Sequence, residues 1–274
     1  MNTIKIANKK YSLNTICDGI NNNDYHRHQA ISSTNCKDLL KSPWLYDYNK
    51  KNPKGQTAAM AFGSLVHHLI LEPETFEQYY FVADKPKRNT NAGKAAYERL
   101  DQERGNRAWV TQAEFLEAEE MRYNVSKNDL AQAILTGGKA EQAVFWRDAE
   151  TDVLCKAKAD YLNVDKGIIV DLKTTSSLAS EMCFKQTVKK YHYQLSAAFY
   201  QTGFTAATGK VLDFFIIALE SFAPFNYAIY KVGEDLLQAG RGLYQEALRT
   251  YQAAHESGQF NVPYYHGQLI ELAA

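Results

Sequence analysis

The chain is poor in the features that announce a specialised compartment. Its 274 residues hold four cysteines, Cys17, Cys36, Cys155 and Cys183, scattered so that no two form a close pair. That spacing argues against a zinc site and a disulfide framework, and fits a reducing cytoplasm. No run approaches the roughly 18 uninterrupted apolar residues of a membrane span, and Met1-Asn2-Thr3-Ile4-Lys5 lacks the apolar stretch of a signal peptide; neither insertion nor secretion is expected. An excess of charge is missing too, since 31 basic residues face 31 acidic ones. A neutral chain has no global attraction for nucleic acid, so any such contact must come from a local patch. Repeats and low-complexity segments are also lacking. What remains is a composition 45% hydrophobic and 12% aromatic, ample for a sizeable core.

Periodicity divides the chain. Residues 1–30, polar and carrying Asn21-Asn22-Asn23, read as an irregular lead-in. Residues 31–274 read as a single domain, with its core over about 58–232 and a C-terminal helix over 234–257. Ser32 or Ser33 caps a short helix that ends before Pro43. Trp44-Leu45-Tyr46-Asp47-Tyr48 forms an aromatic knot followed by Lys50, Lys51 and Lys54. Phe62, Leu65 or Val66, and Leu69 recur at helical spacing and predict a helix over 58–71. Residues 84–110, rich in Lys, Arg, Asn and Gly, read as a long loop with a short helix near 95–100. Phe115, Ala118, Met121 and Val125 mark a helix over 112–135, stopped by Gly137-Gly138. The period then changes. Val144-Phe145-Trp146, residues 153–162 and Ile168 to Leu172 read as three strands. A helical stretch over 178–207, broken near Lys189-Lys190, leads to a strand pair over 212–219 and 227–232. This order predicts an α/β (α+β) fold, a central mixed β-sheet flanked by helices.

The strand Ile168-Ile169-Val170-Asp171-Leu172-Lys173 carries the chemistry. Side chains alternate along a strand, so Asp171 and Lys173 share one face while Val170 and Leu172 enter the core on the other. The preceding strand ends in Asp160, eleven residues before Asp171, and a tight hairpin of that length sets the two carboxylates side by side. Taken alone, an Asp-x-Lys at a strand end is far more often a surface salt bridge. The second carboxylate and the apolar strand leading in favour a metal site, because charges beside a buried strand need a partner. Two hard oxygen donors suit magnesium or manganese. Such an ion activates water and offsets charge in phosphodiester hydrolysis, and an adjacent lysine can position that water.

Asp160 … Asp171-Leu172-Lys173 resembles the PD-(D/E)xK nuclease signature, with Ala159 where the family's proline stands. Phe62-Gly63-Ser64-Leu65-Val66-His67, followed by Leu69-Ile70-Leu71-Glu72-Pro73, resembles the G-x-x-x-H helix of the RecE (exonuclease VIII)-like and RecB-like branch. Ala140-Glu141-Gln142-Ala143-Val144-Phe145-Trp146 is similar to the segment with that branch's upstream glutamate. Tyr191-His192-Tyr193-Gln194-Leu195, with Phe199-Tyr200, resembles its Q-x-x-x-Y-like helix, although the family's spacing asks for an aromatic at Ala198. The resemblance spans residues 31–232 in the expected order.

It implies a restriction-endonuclease-like core in which His67, Asp160, Asp171 and the carbonyl of Leu172 ligate Mg2+, with Mn2+ able to substitute. Lys173 would orient or activate water, Glu141 would sit close to the metals, and Gln194 and Tyr191 would line the site. Lys189 and Lys190 are the preferred DNA-tracking pair. The branch's iron–sulfur members need three late cysteines, and none follows Cys183, so no cluster is expected. The implied activity is a magnesium-dependent 5′→3′ exonuclease on double-stranded DNA ends. It would leave 3′ single strands for an annealing protein in phage or prophage recombination, working as a homo-oligomeric ring in the bacterial cytoplasm. The alternatives are another PD-(D/E)xK activity, such as a structure-specific endonuclease or a 3′→5′ exonuclease, and a non-catalytic DNA-end-binding protein.

Overall fold

The computed structural model describes residues 3–271. It opens with a β1 (Thr3–Ile6) and β2 (Lys9–Ser12) hairpin, then β3 (Ile16–Cys17) and α1 (Asn22–Arg27). Three helices follow: α2 (Ser33–Leu39), α3 (Pro43–Lys51) and α4 (Ala58–Leu71). Side chains of Ser32, Ser42 and Thr57 accept first-turn amides and so cap them, satisfying donors that the helix cannot. Next come α5 (Phe76–Tyr79), β4 (Tyr80–Val82), α6 (Asn91–Arg104), β5 (Ala108–Val110), α7 (Gln112–Ser126) and α8 (Asp129–Ile134). The second half holds β6 (Lys139–Arg147), β7 (Leu154–Asn163), β8 (Ile168–Thr175), α9 (Glu181–Tyr191), α10 (Tyr193–Thr208), β9 (Asp213–Glu220), β10 (Tyr227–Lys231) and α11 (Glu234–Ser257).

The main sheet runs β10-β9-β8-β7-β6-β3. All its neighbours are antiparallel except β8 and β9, which the α9–α10 crossover joins as parallel pairing requires. The mixed sheet flanked by helices is as the sequence predicts. Its two faces are buried differently. Trp146, Ile169, Phe199, Phe214 and Leu248 share one cluster, on the side of α10 and α11. Leu65, Met121, Val170, Leu172 and Ile217 share the other, on the side of α4 and α7. Glycines set close contacts at both layers. A Cβ on Gly203 would meet the Trp146 ring at 2.5 Å, and one on Gly63 would come within 3.0 Å of Thr174 Oγ1. No helix of the described residues is long and apolar enough to cross a membrane.

Two expectations need correction. Residues 3–30 of the expected irregular lead-in, 1–30, are ordered against the sheet, and residues 1 and 2 lie outside the described residues. Ile6, Cys17, Ile20, Tyr25 and Ala30 are buried against Ala143 and Phe145 of β6, and β3 extends the sheet. The buried Lys156 ammonium also ties this segment down, donating to the carbonyls of Tyr25 at 2.6 Å and His28 at 2.9 Å. Packing against an edge strand supplies order that a polar sequence alone conceals. Residues 84–110 are likewise more regular than a loop: α6 is 14 residues long, and β4 pairs with β5 in parallel. No residue of α6 is buried, which is why it lacks an apolar stripe.

Candidate active site

The β7–β8 ladder pairs Asn163 with Ile168, Leu162 with Ile169 and Tyr161 with Val170, and then stops. Continuing that register would set Asp160 opposite Asp171. There the strands open, and Asp160 Oδ2 takes over the Leu172 amide at 2.7 Å. The neighbouring ladder is interrupted at the same level. β6 pairs with β7 on either side, at Ala140–Tyr161 and Gln142–Ala159, but not at Glu141. Glu141 has φ +53°, a left-handed backbone that costs energy in a non-glycine residue. Across this point β7 changes faces, since Ala157 and Ala159 belong to the α10 side whereas Tyr161 belongs to the α4 side. The irregularity turns Asp160 out of the regular pleat, as bulges near active sites do.

Alternation along β8 places Asp171 and Lys173 together: Lys173 Nζ lies 2.5 Å from Asp171 Oδ2 and 3.3 Å from the Leu172 carbonyl. His67 arrives from α4, whose approach to β8 is permitted by Gly63, one turn earlier. Its Nδ1 is 3.6 Å from Asp160 Oδ2, too long for a hydrogen bond. Glu141 is held by Lys158 Nζ at 2.6 Å, which also donates to Asn22 Oδ1 at 2.8 Å. The N-terminal segment thus forms a wall of the site.

Burial and neighbouring charge set the protonation states. The Asp160 carboxyl is pushed above the usual carboxylate range, first by burial and then by Asp171 beside it. Burial first, and then the Lys173 charge, lower His67 to about 4, so its imidazole is neutral at pH 7 and its contact with Asp160 is no ion pair. Burial opposes the charge on Lys173, but Asp171 and Asp160 outweigh it and hold its pKa above the ordinary lysine range. Lys173 is therefore an ammonium, a donor and charge stabiliser rather than a base.

Two open clefts flank these groups. One, of about 560 Å³, is lined by His67, His68, Glu72, Tyr80, Glu141 and Lys158. The other, of about 740 Å³, is lined by Phe62, Thr174, Gln186, Lys190, Tyr191 and Tyr193. Among the described residues, no three His, Cys, Asp or Glu side chains are already gathered as a metal shell. The donor set nevertheless suits a hard cation. Asp160, Asp171 and the Leu172 carbonyl offer oxygens and His67 a neutral nitrogen, and a cation would relieve the crowding of two carboxylates that only Lys173 now balances.

Of the residues expected from sequence, His67, Asp160, Asp171, Leu172 and Lys173 are brought together, with Glu141 alongside. Lys190 and Tyr191 line the second cleft, whereas Lys189 is exposed and does not. Gln194 makes no hydrogen bond to Asp160, Asp171 or Lys173. Its backbone carbonyl lies where a Cβ on Gly240 of α11 would come within 2.0 Å, and its side-chain oxygen is buried without a partner among the described residues. Of the ionisable groups of α10, the phenols of Tyr193 and Tyr200 feel Asp171 and Lys173, and both are raised first by burial. They lie seven residues apart on one helical face, and Gln194 lies about 100° around from Tyr193. Lys158 is a further residue that sequence reasoning missed, though it stands two positions before Asp160, the same spacing that linked Asp171 to Lys173.

A family model described as a PDDEXK-like domain of unknown function (DUF3799) matches residues 32–266. No curated protein matches the chain in sequence. Among solved structures, "Putative exonuclease" from Eubacterium rectale superposes with a TM-score of 0.60 at 16% identity, over 94% of this chain and 97% of that one. A phage related exonuclease from Haemophilus somnus 129PT gives a TM-score of 0.36 at 11% identity, over 85% of this chain and 97% of that one. With the family model matching most of its length and the carboxylates at the open end of β7–β8, the chain belongs to the PDDEXK-like family and has its nuclease fold.

Proposed function

We propose that this protein is a magnesium-dependent deoxyribonuclease, a 5′→3′ exonuclease on double-stranded DNA ends of the RecE-like kind. The observation that supports it most is the convergence of Asp160, Asp171 and Lys173 where the β7–β8 ladder opens. Asp160, Asp171, His67 and the Leu172 carbonyl would hold the metal, with Glu141 adjacent. When bound, the ion would supply Lewis acidity toward a phosphate oxygen and lower the pKa of its water.

The chain's own groups do the rest. Lys173, kept charged by its neighbours, donates toward the attacking water and the phosphoryl oxygens on which negative charge develops. Asp160 accepts from the Leu172 amide and so fixes the peptide that joins Asp171 to Leu172. The clefts to either side leave room for a strand to pass over the carboxylates. Direction of digestion, a homo-oligomeric ring around DNA, an annealing partner and a phage or prophage setting follow from the RecE-like resemblance. A ring would give a neutral chain its processivity through topology rather than charge.

The test is digestion of duplexes labelled at the 5′ or the 3′ end, with magnesium and with chelator, beside a covalently closed circle. Release of the 5′ label first, only with metal and only from linear DNA, is expected. Cleavage of the circle would replace the exonuclease by an endonuclease, first release of the 3′ label would reverse the polarity, and binding without cleavage would leave an end-binding protein.

A further inference from the structure

Beside the carboxylates stands a group of cations without ion-pair partners among the described residues. Lys37 of α2, Lys41 just beyond its end, and Lys189 and Lys190 at the end of α9 form no ion pair among the described residues, whereas acids and bases elsewhere pair repeatedly. Lys37 Nζ lies 5.4 Å from the centre of the Tyr193 ring, and Lys173 Nζ lies 5.6 Å from the centre of the same ring. One phenol therefore carries two ammonium groups, one of them from the catalytic strand. Tyr191 stacks on Tyr193 with ring centres 5.8 Å apart and planes 22° from parallel, and Lys190 covers Tyr191 at 5.3 Å. His192, between the two tyrosines, has a left-handed backbone that breaks α9 from α10 and sets both rings on the second cleft.

The arrangement is unfavourable as it stands. Lys41, two residues past the end of α2, lies close enough to Lys37 to oppose its charge, as like charges do. Lys37 is half-buried, and burial together with the nearby Lys173 charge lowers its pKa to about 8. An anion would reverse each of these costs. Compact ammonium groups beside aromatic faces suit a phosphate flanked by sugar and base, because the point charge meets the phosphate while the ring offers a stacking surface. Asp171 is the one carboxylate whose charge favours the Lys37 ammonium, and no ion pair joins them among the described residues. We propose that Lys37 and Lys41, with the Tyr193 ring shared between Lys37 and Lys173, form a binding site for the nucleic-acid backbone phosphate next to the one held at Asp160 and Asp171. The site rests on the nuclease reading for its neighbour but is read by binding alone.

The test uses the full chain and a fluorescent duplex, with calcium in place of magnesium to suppress cleavage, titrated between 50 and 200 mM salt, about the range over which phosphate contacts are read. Lys37→Met and Lys41→Met should each weaken binding about tenfold at the higher salt and reduce the slope of log Kd against log salt by about 1. Lys37→Arg should restore the slope. Lys210→Ala removes an exposed lysine beyond the far end of α10, and should change nothing. Unchanged affinity and slope in a folded Lys37→Met Lys41→Met chain would overturn the site. Should Lys37→Met fail to fold, Lys41→Met, at an exposed position, is read by the same criterion. A wild-type chain that binds with the expected slope yet leaves DNA intact with magnesium would overturn the nuclease reading and keep the phosphate site; one that binds no duplex would overturn both.

Discussion

The two ends of the β7–β8 pair differ in almost everything except their register. At the turn end, Tyr161, Leu162 and Asn163 are laddered to Val170, Ile169 and Ile168 and buried. At the other end the ladder has opened, a carboxylate has replaced a backbone carbonyl as the acceptor for Leu172, and two acids and a lysine crowd together. The first end gains from packing and paired backbone. The second bears desolvated charge and a strained residue, Glu141, on the adjacent strand. Such a division is what a site poised for a cation needs: rigidity on one side, unmet electrostatic demand on the other.

The comparison can be broken by exchanging the consequences of mutation at each end. Lys173→Ala should lower kcat by about 10²–10³-fold, the cost of losing one donor to the transition state, while thermal unfolding shifts little; unfolding of the variant would show that the pair is structural. Ile169→Ala, at a fully buried position of the laddered end, should do the reverse. It should cost about 2–5 kcal/mol in denaturant-measured stability and leave kcat per folded molecule near that of the wild type.

A smaller effect sharpens the electrostatic side. The folded pKa of His67, about 4, lies below its unfolded value of about 6.5. The stability that His67 contributes as a neutral group is thus complete above pH 6.5 and lost as pH falls toward 4. Comparing denaturant stability of wild type and His67→Gln without metal should show a shallower acid decline in the variant; equal slopes would mean His67 is not held neutral by its surroundings.

How much of this could be read in the sequence follows from how local each feature is. Asp160 and Asp171 could be placed together because a four-residue connection, 164–167, fixes the hairpin register, and Asp171 and Lys173 because alternation on a strand is strict. The G-x-x-x-H spacing likewise survived as one turn of α4. Features made by distant contacts were hidden. Lys37 reaches Tyr193 from more than 150 residues away, and nothing in α2 announces it. The order of residues 3–30 depends on Phe145 and Ala143, and the turn of α10 toward the site depends on a left-handed backbone at His192. That turn brings Tyr193 and Tyr200 of α10 within reach of the Asp171 and Lys173 charges.

The open end of β7–β8 is the proposed hydrolytic centre. It is tested most directly by incubating a linear duplex and magnesium with wild type and Asp171→Asn, beside thermal unfolding of both. Metal-dependent digestion by the wild type, abolished in a variant that melts within a few degrees of it, is the predicted result. Digestion that persists in a folded Asp171→Asn chain would contradict it.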